Sequence, residues 1–234
     1  MFVNKSDFGK RYVISDIHGC FNTFKALIDK ISLNKTDLLF LLGDYIDRGH
    51  NSSGVINYIL ELQNSGYNIF PLRGNHENNI LETQITYDSL MFGNFVRKIN
   101  KSPDLLEEDN SIKPEFQSFF ESLPYYYELD NYILVHAGLN FKLQNPFEDK
   151  TSMLELRGFS VNVPANFSKT IIHGHNPTYL SDIMTAINER QKVIPLDNGC
   201  VYSKPHKFYD YKQLGKLLCF DLDNFEIIYQ TNIE

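Results

Sequence analysis

Cysteines, basic residues and long apolar runs are all scarce in this chain of 234 residues. The three cysteines, Cys20, Cys200 and Cys219, are odd in number, widely separated and never arranged as C-x-x-C. That pattern argues against a thioredoxin-like redox site and against a cysteine zinc site. Cys200 and Cys219 lie in apolar surroundings and read as packed thiols, and a reducing cytoplasm is the expected compartment. No apolar run approaches the roughly 20 residues of a membrane helix. The opening MFVNKSDFGKRYV carries no signal-peptide pattern. Twenty-two basic residues against 29 acidic ones leave a net charge of -7, which disfavours an extended nucleic-acid or anionic-membrane surface. So negative a chain can receive an anion only by concentrating positive charge locally.

The order of elements is legible from periodicity. Apolar strands are expected at residues 11–15, 37–42 and 68–72. They alternate with helices whose apolar positions recur at one-face spacing: Phe21, Phe24, Leu27, Ile28 and Ile31, then Val55, Ile56, Ile59 and Leu60. Ser52 or Ser53 is the expected N-cap of the second helix, with Gly66 beyond its end. Such alternation is the mark of an α/β layer structure. Residues 78–126 are looser and read as a small helical insertion or cap. The second half is a run of short strands at 132–135, 170–172, 193–196, 216–220 and 226–229, the last two joined by a turn at Asp223-Asn224. Two facing sheets with helices outside would hold both halves in one domain, residues 1–234. A chain of this length can bury roughly 70% of its unfolded surface.

Polar side chains gather just where apolar runs stop. Asp16 and His18 follow the first strand, Asp44 the second and Asn75 the third, while His136 and His175 follow strands of the second half. Ligands that follow strands share one rim of a sheet, where loops converge them. Asp16 and His18 are two apart, so an extended backbone would point both to one side. Imidazole with carboxylate suits Mn, Fe, Co or Zn. The expected cofactor is a pair of divalent ions, manganese first, with iron, zinc or cobalt as alternatives. Asp16 and His18 would hold one ion and Asn75, His136 and His175 the other, with Asp44 bridging. Each residue alone has an ordinary reading as turn former or core histidine; six together on successive strand ends do not.

The segment GDYIDRG, residues 43–49, adds Asp47 and Arg48 just beyond Asp44. An arginine there can grip two phosphoryl oxygens in a planar fork; the alternative is an Arg48–Asp47 surface pair of little value. Arg157 is a second candidate, equally readable as a helix-surface arginine. His76 follows the ligand candidate Asn75 and is turned away from that ion, free to protonate a leaving alkoxide, with Asp47 holding its imidazole charged. The expected reaction is in-line attack of a metal-held hydroxide on phosphorus. His50 would line the entrance, His173 would support His175 or line a pocket, and His206 would be exposed. Glu77 would orient an arginine or a histidine.

These residues resemble the phosphoprotein-phosphatase family of binuclear metallophosphatases, which includes bacterial serine/threonine phosphatases and symmetrical diadenosine tetraphosphatases. The matching blocks are DIHG at 16–19, GDYIDRG at 43–49, GNHE at 74–77, HAGL at 136–139, HGH at 173–175 and LDNGCVY at 196–202. The resemblance implies a calcineurin-like α/β metallophosphatase fold, a central β-sandwich of two mixed sheets flanked by helices. It implies Asp16, His18 and Asp44 on the first metal and Asp44, Asn75, His136 and His175 on the second. Arg48 and Arg157 would contact phosphate, and His76 with Asp47 would form the acid pair. Ser15 stands where the family usually has glycine and Asn198 where it often has threonine; neither is expected to touch a metal ligand.

The leading expectation is a phosphomonoesterase acting on phosphoserine or phosphothreonine, or on phosphotyrosine, of a protein, or on a small phosphate ester. The alternative is a dinucleoside-polyphosphate hydrolase, for which the 14 tyrosines and 18 phenylalanines offer stacking surfaces. A catalytically silent phosphate-binding protein would require a damaged ligand set, and none of the ligands is missing.

Overall fold

The computed structural model describes residues 2–3, 9–159, 162–164, 167–205 and 210–234. Its first half is three strands, β1 (Arg11–Ile14), β2 (Leu38–Leu41) and β3 (Asn68–Pro71), alternating with helices α1 (Phe21–Ile31), α2 (Ser52–Asn64) and α3 (Asn75–Thr86). Helices α4 (Ser89–Asn94) and α5 (Pro114–Ser122) follow, with a π-helical turn at Phe95–Asn100 between them. The second half holds β4 (Tyr126–Glu128), β5 (Tyr132–Val135), α6 (Lys150–Glu155), β6 (Thr170–His173), α7 (Leu180–Asn188), β7 (Val193–Pro195), β8 (Lys216–Asp221) and β9 (Glu226–Thr231).

The strands form two mixed sheets, β3-β2-β1-β8-β9 and β4-β5-β6-β7. In the first, β1, β2 and β3 are parallel, in register from Arg11↔Leu38 and Leu38↔Asn68, and β8 and β9 are antiparallel additions. In the second, β5, β6 and β7 are parallel and β4 runs against β5. The side-chain period of two then sorts the strand residues into layers. Val13, Phe40, Phe220, Leu134, Ile172 and Ile194 meet between the sheets. Tyr12, Ile14, Leu39, Leu41 and Cys219 turn the other way, onto α1 and α2, while Ile133, Val135, Ile171 and Val193 pack on Met153 and Phe159. Central strands buried on both faces must be apolar throughout, which is why they read as continuous runs. Phe40 is fully buried and packs on both Phe70 and Tyr127; burial of one such side chain is worth roughly 1.5–3 kcal/mol.

Several local expectations shift. Helix α2 is capped by Asn51, whose side chain accepts from the Gly54 N–H at 2.8 Å; Ser52 is the first helical residue, and its hydroxyl serves the loop before it. Strand β4 lies where a loose helical segment was expected to end. Its Tyr127 is buried by sandwich contacts, which alternation within three residues cannot signal. Residues 75–122 are mainly helical, and Ile80, Phe92, Val96, Phe116 and Phe120 share the core of α1 and α2.

Candidate metal centre

The parallel strands deliver their carboxyl ends to one rim, and each proposed ligand sits just past such an end. Asp16 and His18 follow β1, Asp44 follows β2, Asn75 opens α3 after β3, and His136 and His175 follow β5 and β6. Two triads form there: His18, Asp44 and His76, and Asp44, His136 and His175. Within each, the candidate ligand atoms lie within 4.8 Å of one another.

Asp44 belongs to both triads and divides its oxygens between them. Its Oδ2 lies 3.5 Å from His18 Nε2 and 3.9 Å from His76 Nε2, while Oδ1 lies 3.5 Å from His136 Nε2. Backbone carbonyls fix the imidazoles. His18 Nδ1 is 2.9 Å from the Ile46 carbonyl and His136 Nδ1 is 2.8 Å from that of Leu42. A carbonyl only accepts, so both Nδ1 atoms carry protons, and in the neutral ring both Nε2 atoms present lone pairs to Asp44.

A pair of cations fits this donor set. Asn75 Oδ1 lies 3.0 Å from His136 Nε2 and 3.2 Å from His175 Nδ1. With its amide reversed, one NH₂ would face His136, His175 and both Asp44 oxygens at 3.0–3.2 Å. Two protons cannot serve four acceptors, whereas a divalent ion satisfies lone pairs from every side. Among the described residues, the buried His175 Nε2 has no hydrogen-bond partner. Asp16, Asp44 and Asp197 are each 4% exposed or less. Such buried carboxylates are costly without a compensating charge. Burial pushes the Asp16 carboxyl up, and burial together with nearby Asp16 pushes Asp197 well up. Burial also opposes ionisation of Asp44, yet the surrounding His136, His76 and His18 hold its pKa far below the usual carboxylate range. The His175 imidazole is lowered to about 3 by burial, then by His136 and Arg157, which keeps it neutral and ready to donate a lone pair.

His76, a member of the first triad, also forms a proton-carrying pair with Asp47. His76 Nδ1 lies 2.6 Å from Asp47 Oδ2. Burial works against the charged ring, but Asp44 and the Asp47 hydrogen bond prevail and raise its pKa to about 9. Arg48 does not pair with Asp47. Its exposed guanidinium reaches His76 Nε2 at 3.1 Å and donates to the Tyr202 hydroxyl at 3.2 Å. Arg157 is likewise exposed and donates to Asn176 Oδ1 at 2.6 Å, near enough to His175 to depress its pKa.

The local backbone differs from the expected one. His18 has φ +48°, so Asp16 and His18 do not share a side through an extended chain; a left-handed turn separates them. Asp16 instead accepts from the His175 N–H at 3.0 Å and from the Ser15 hydroxyl. Ser15 therefore does touch a proposed ligand. Asp44, Asp47, Arg48 and His175 also have positive φ, a conformation that costs energy outside glycine and clusters at functional sites. Two glycines make the crossing of loops feasible: a Cβ on Gly43 would stand 2.5 Å from the Gly74 nitrogen.

Three participants, Ser102, Tyr202 and Asp197, were given no role from the sequence, and a fourth, Glu77, was expected in a different one. Glu77 is fully buried and accepts from the Asp44, Tyr45 and Gly74 N–H groups at 2.9, 2.8 and 3.0 Å. It orders the Asp44 loop rather than an arginine or a histidine. Ser102, from the polar stretch after α4, donates to Asp47 Oδ1 at 2.8 Å, and Tyr202 holds Arg48. Asp197 sits among the buried acids. Only Glu77 left a trace, as the third residue after a glycine that precedes a helix. His50 is exposed beside Arg48, His173 lines a cleft next to Phe159, and His206 lies outside the described residues.

The sequence model of the calcineurin-like phosphoesterase family matches residues 9–220. Relatives include the symmetrical bis(5'-nucleosyl)-tetraphosphatase of Haemophilus ducreyi, 32% identical over 130 residues, which are 55% of this chain and 45% of that protein. The protein of the same name from Wigglesworthia glossinidia brevipalpis is 38% identical over 95 residues, 40% of this chain and 34% of that one. The matched part is thus less than half the length of either curated relative. A solved structure of a candidate diadenosine tetraphosphatase superposes with a TM-score of 0.67 at 20% identity, over 99% of this chain and 97% of that chain. At that identity the likeness shows the fold alone.

Proposed function

The chain belongs to the calcineurin-like phosphoesterase family, and we propose that it is a metal-dependent hydrolase of dinucleoside polyphosphates. The observation that supports the chemistry best is the division of the Asp44 oxygens between two histidine groups. When bound, two divalent ions would bring the pKa of water from 15.7 towards about 7 and offset phosphoryl charge. Asp16, His18 and Asp44 would hold one, and Asp44, Asn75, His136 and His175 the other. Arg48, beside His76, and Arg157, beside His175, would grip the phosphoryl oxygens. His76, held at Nδ1 by Asp47, would present a proton from Nε2 to the departing oxygen. Arg48 donates to that same nitrogen at 3.1 Å, so substrate must draw the guanidinium away before Nε2 can take up the proton it would deliver.

The substrate class rests on the relatives, whose names favour the dinucleotide over the phosphoprotein. A phosphoprotein remains the second reading, because both arginines are exposed and a protein surface can reach them. The purified chain would be offered diadenosine tetraphosphate, a phosphoserine peptide and p-nitrophenyl phosphate, with Mn²⁺ and with chelator. Metal-dependent turnover dominated by the dinucleotide is expected. Preference for the peptide would overturn the substrate assignment, and activity that persists in chelator would overturn the chemistry.

A further inference from the structure

A cleft of about 240 Å³ opens beside the metal rim, on the Arg157 side. Gly158 and Asn176 lie on its edge, and Asn176 is the residue that accepts from Arg157. The cleft therefore begins where a phosphate held by Arg157 would end. One wall is the ring of Phe159, set edge-to-face against His173 at 5.2 Å and 70°. That ring can occupy its place because residue 138 is glycine: a Cβ there would stand 2.5 Å from it. Ala186, Val193 and Pro195 supply an apolar floor. Thr178, Asp182 and Gln191 add hydroxyl, carboxylate and amide groups.

Among the described residues that line this cleft there is no lysine or arginine, and there is one aspartate. A second phosphate would meet repulsion there without a compensating guanidinium. The occupant is therefore neutral, partly flat and edged with hydrogen-bonding groups. Its size is below the roughly 300–1,000 Å³ of pockets for drug-sized ligands, which suits a single heterocycle. We propose that this cleft seats one nucleobase of a dinucleoside polyphosphate, packed against Phe159 with its polar edge towards Asp182 and Gln191. The assignment rests on the dinucleotide reading above and places the base beyond Arg157.

Two changes test it. Ala186→Leu fills the cleft with a good helix former, and Asp182→Ala with Gln191→Ala strips the polar edge from exposed positions. Steady-state kinetics would be measured with Mn²⁺ on diadenosine tetraphosphate and on p-nitrophenyl phosphate, which has no base, with thermal melting as a check on folding. Loss of a packed base is expected to raise KM for the dinucleotide about ten- to hundredfold. Its kcat and both constants for p-nitrophenyl phosphate should stay near those of the unaltered chain. Unchanged KM in both variants would overturn the cleft assignment and leave the substrate reading intact, and so would equal losses on both substrates. An unaltered chain that hydrolyses p-nitrophenyl phosphate but not the dinucleotide would sink the substrate reading itself, and the cleft assignment with it.

Discussion

Glu77 is the least conspicuous residue of the rim and the one on which its shape depends most. Its carboxylate, fully buried, accepts three short backbone hydrogen bonds, from the Asp44, Tyr45 and Gly74 N–H groups at 2.8–3.0 Å, and a longer one from Ile46 at 3.4 Å. Glu77→Ala leaves the three nearest buried donors without acceptors. Each such orphan costs about 1–3 kcal/mol, so the loss is roughly 3–9 kcal/mol against a total stability of about 5–15. Glu77→Gln keeps the shape but turns an NH₂ towards one of the donors, and is expected to cost about 2–4 kcal/mol. Urea unfolding in chelator measures this without linkage to metal binding. The same loop carries Asp44, so Mn²⁺ affinity by calorimetry should fall about 10–100-fold in Glu77→Gln. A Glu77→Gln protein within about 0.5 kcal/mol of the parent, the range of an ordinary surface change, and with parental metal affinity would refute the reasoning.

Three further outcomes are expected. His76→Asn should lower kcat on an alkyl phosphate such as glycerol 2-phosphate, whose alkoxide leaves poorly, about 10²–10⁴-fold, with metal content by elemental analysis unchanged; loss of metal would make His76 a ligand, as its place in the His18–Asp44 triad allows. The loss should be smaller on diadenosine tetraphosphate, whose leaving phosphate needs less help from an acid than an alkoxide does. Ser102→Ala removes a hydrogen bond to the Asp47 carboxylate and should cost about 1.5–3 kcal/mol in chemical denaturation together with a fall in kcat, whereas an unchanged kcat would show that Asp47 is held without it. Asn51→Ala removes the cap of α2 and should cost about 1 kcal/mol without altering kcat, the cap being far in role from the acid pair.

The fold class was legible in the sequence, and so were most of the side chains that gather at the metal rim. Doubly buried strands must be continuous apolar runs, and the chemistry of Asp44, His136 or His175 is written in the residue type. Their positions at strand ends follow from topology alone, since parallel strands place every carboxyl end on one rim. Tertiary structure decided what holds those side chains in place. Ser102 is 55 residues from Asp47, Tyr202 is 154 from Arg48, and His136 takes its tautomer from a carbonyl 94 residues away; no local pattern encodes such pairs. The left-handed turn at His18 was equally hidden, because loops closing on one another impose it against the residue's own preference. The cleft walled by Phe159 belongs to the same class: its lining comes from α7, from β6 and β7 and from the loops that flank them, and only their packing makes it one site.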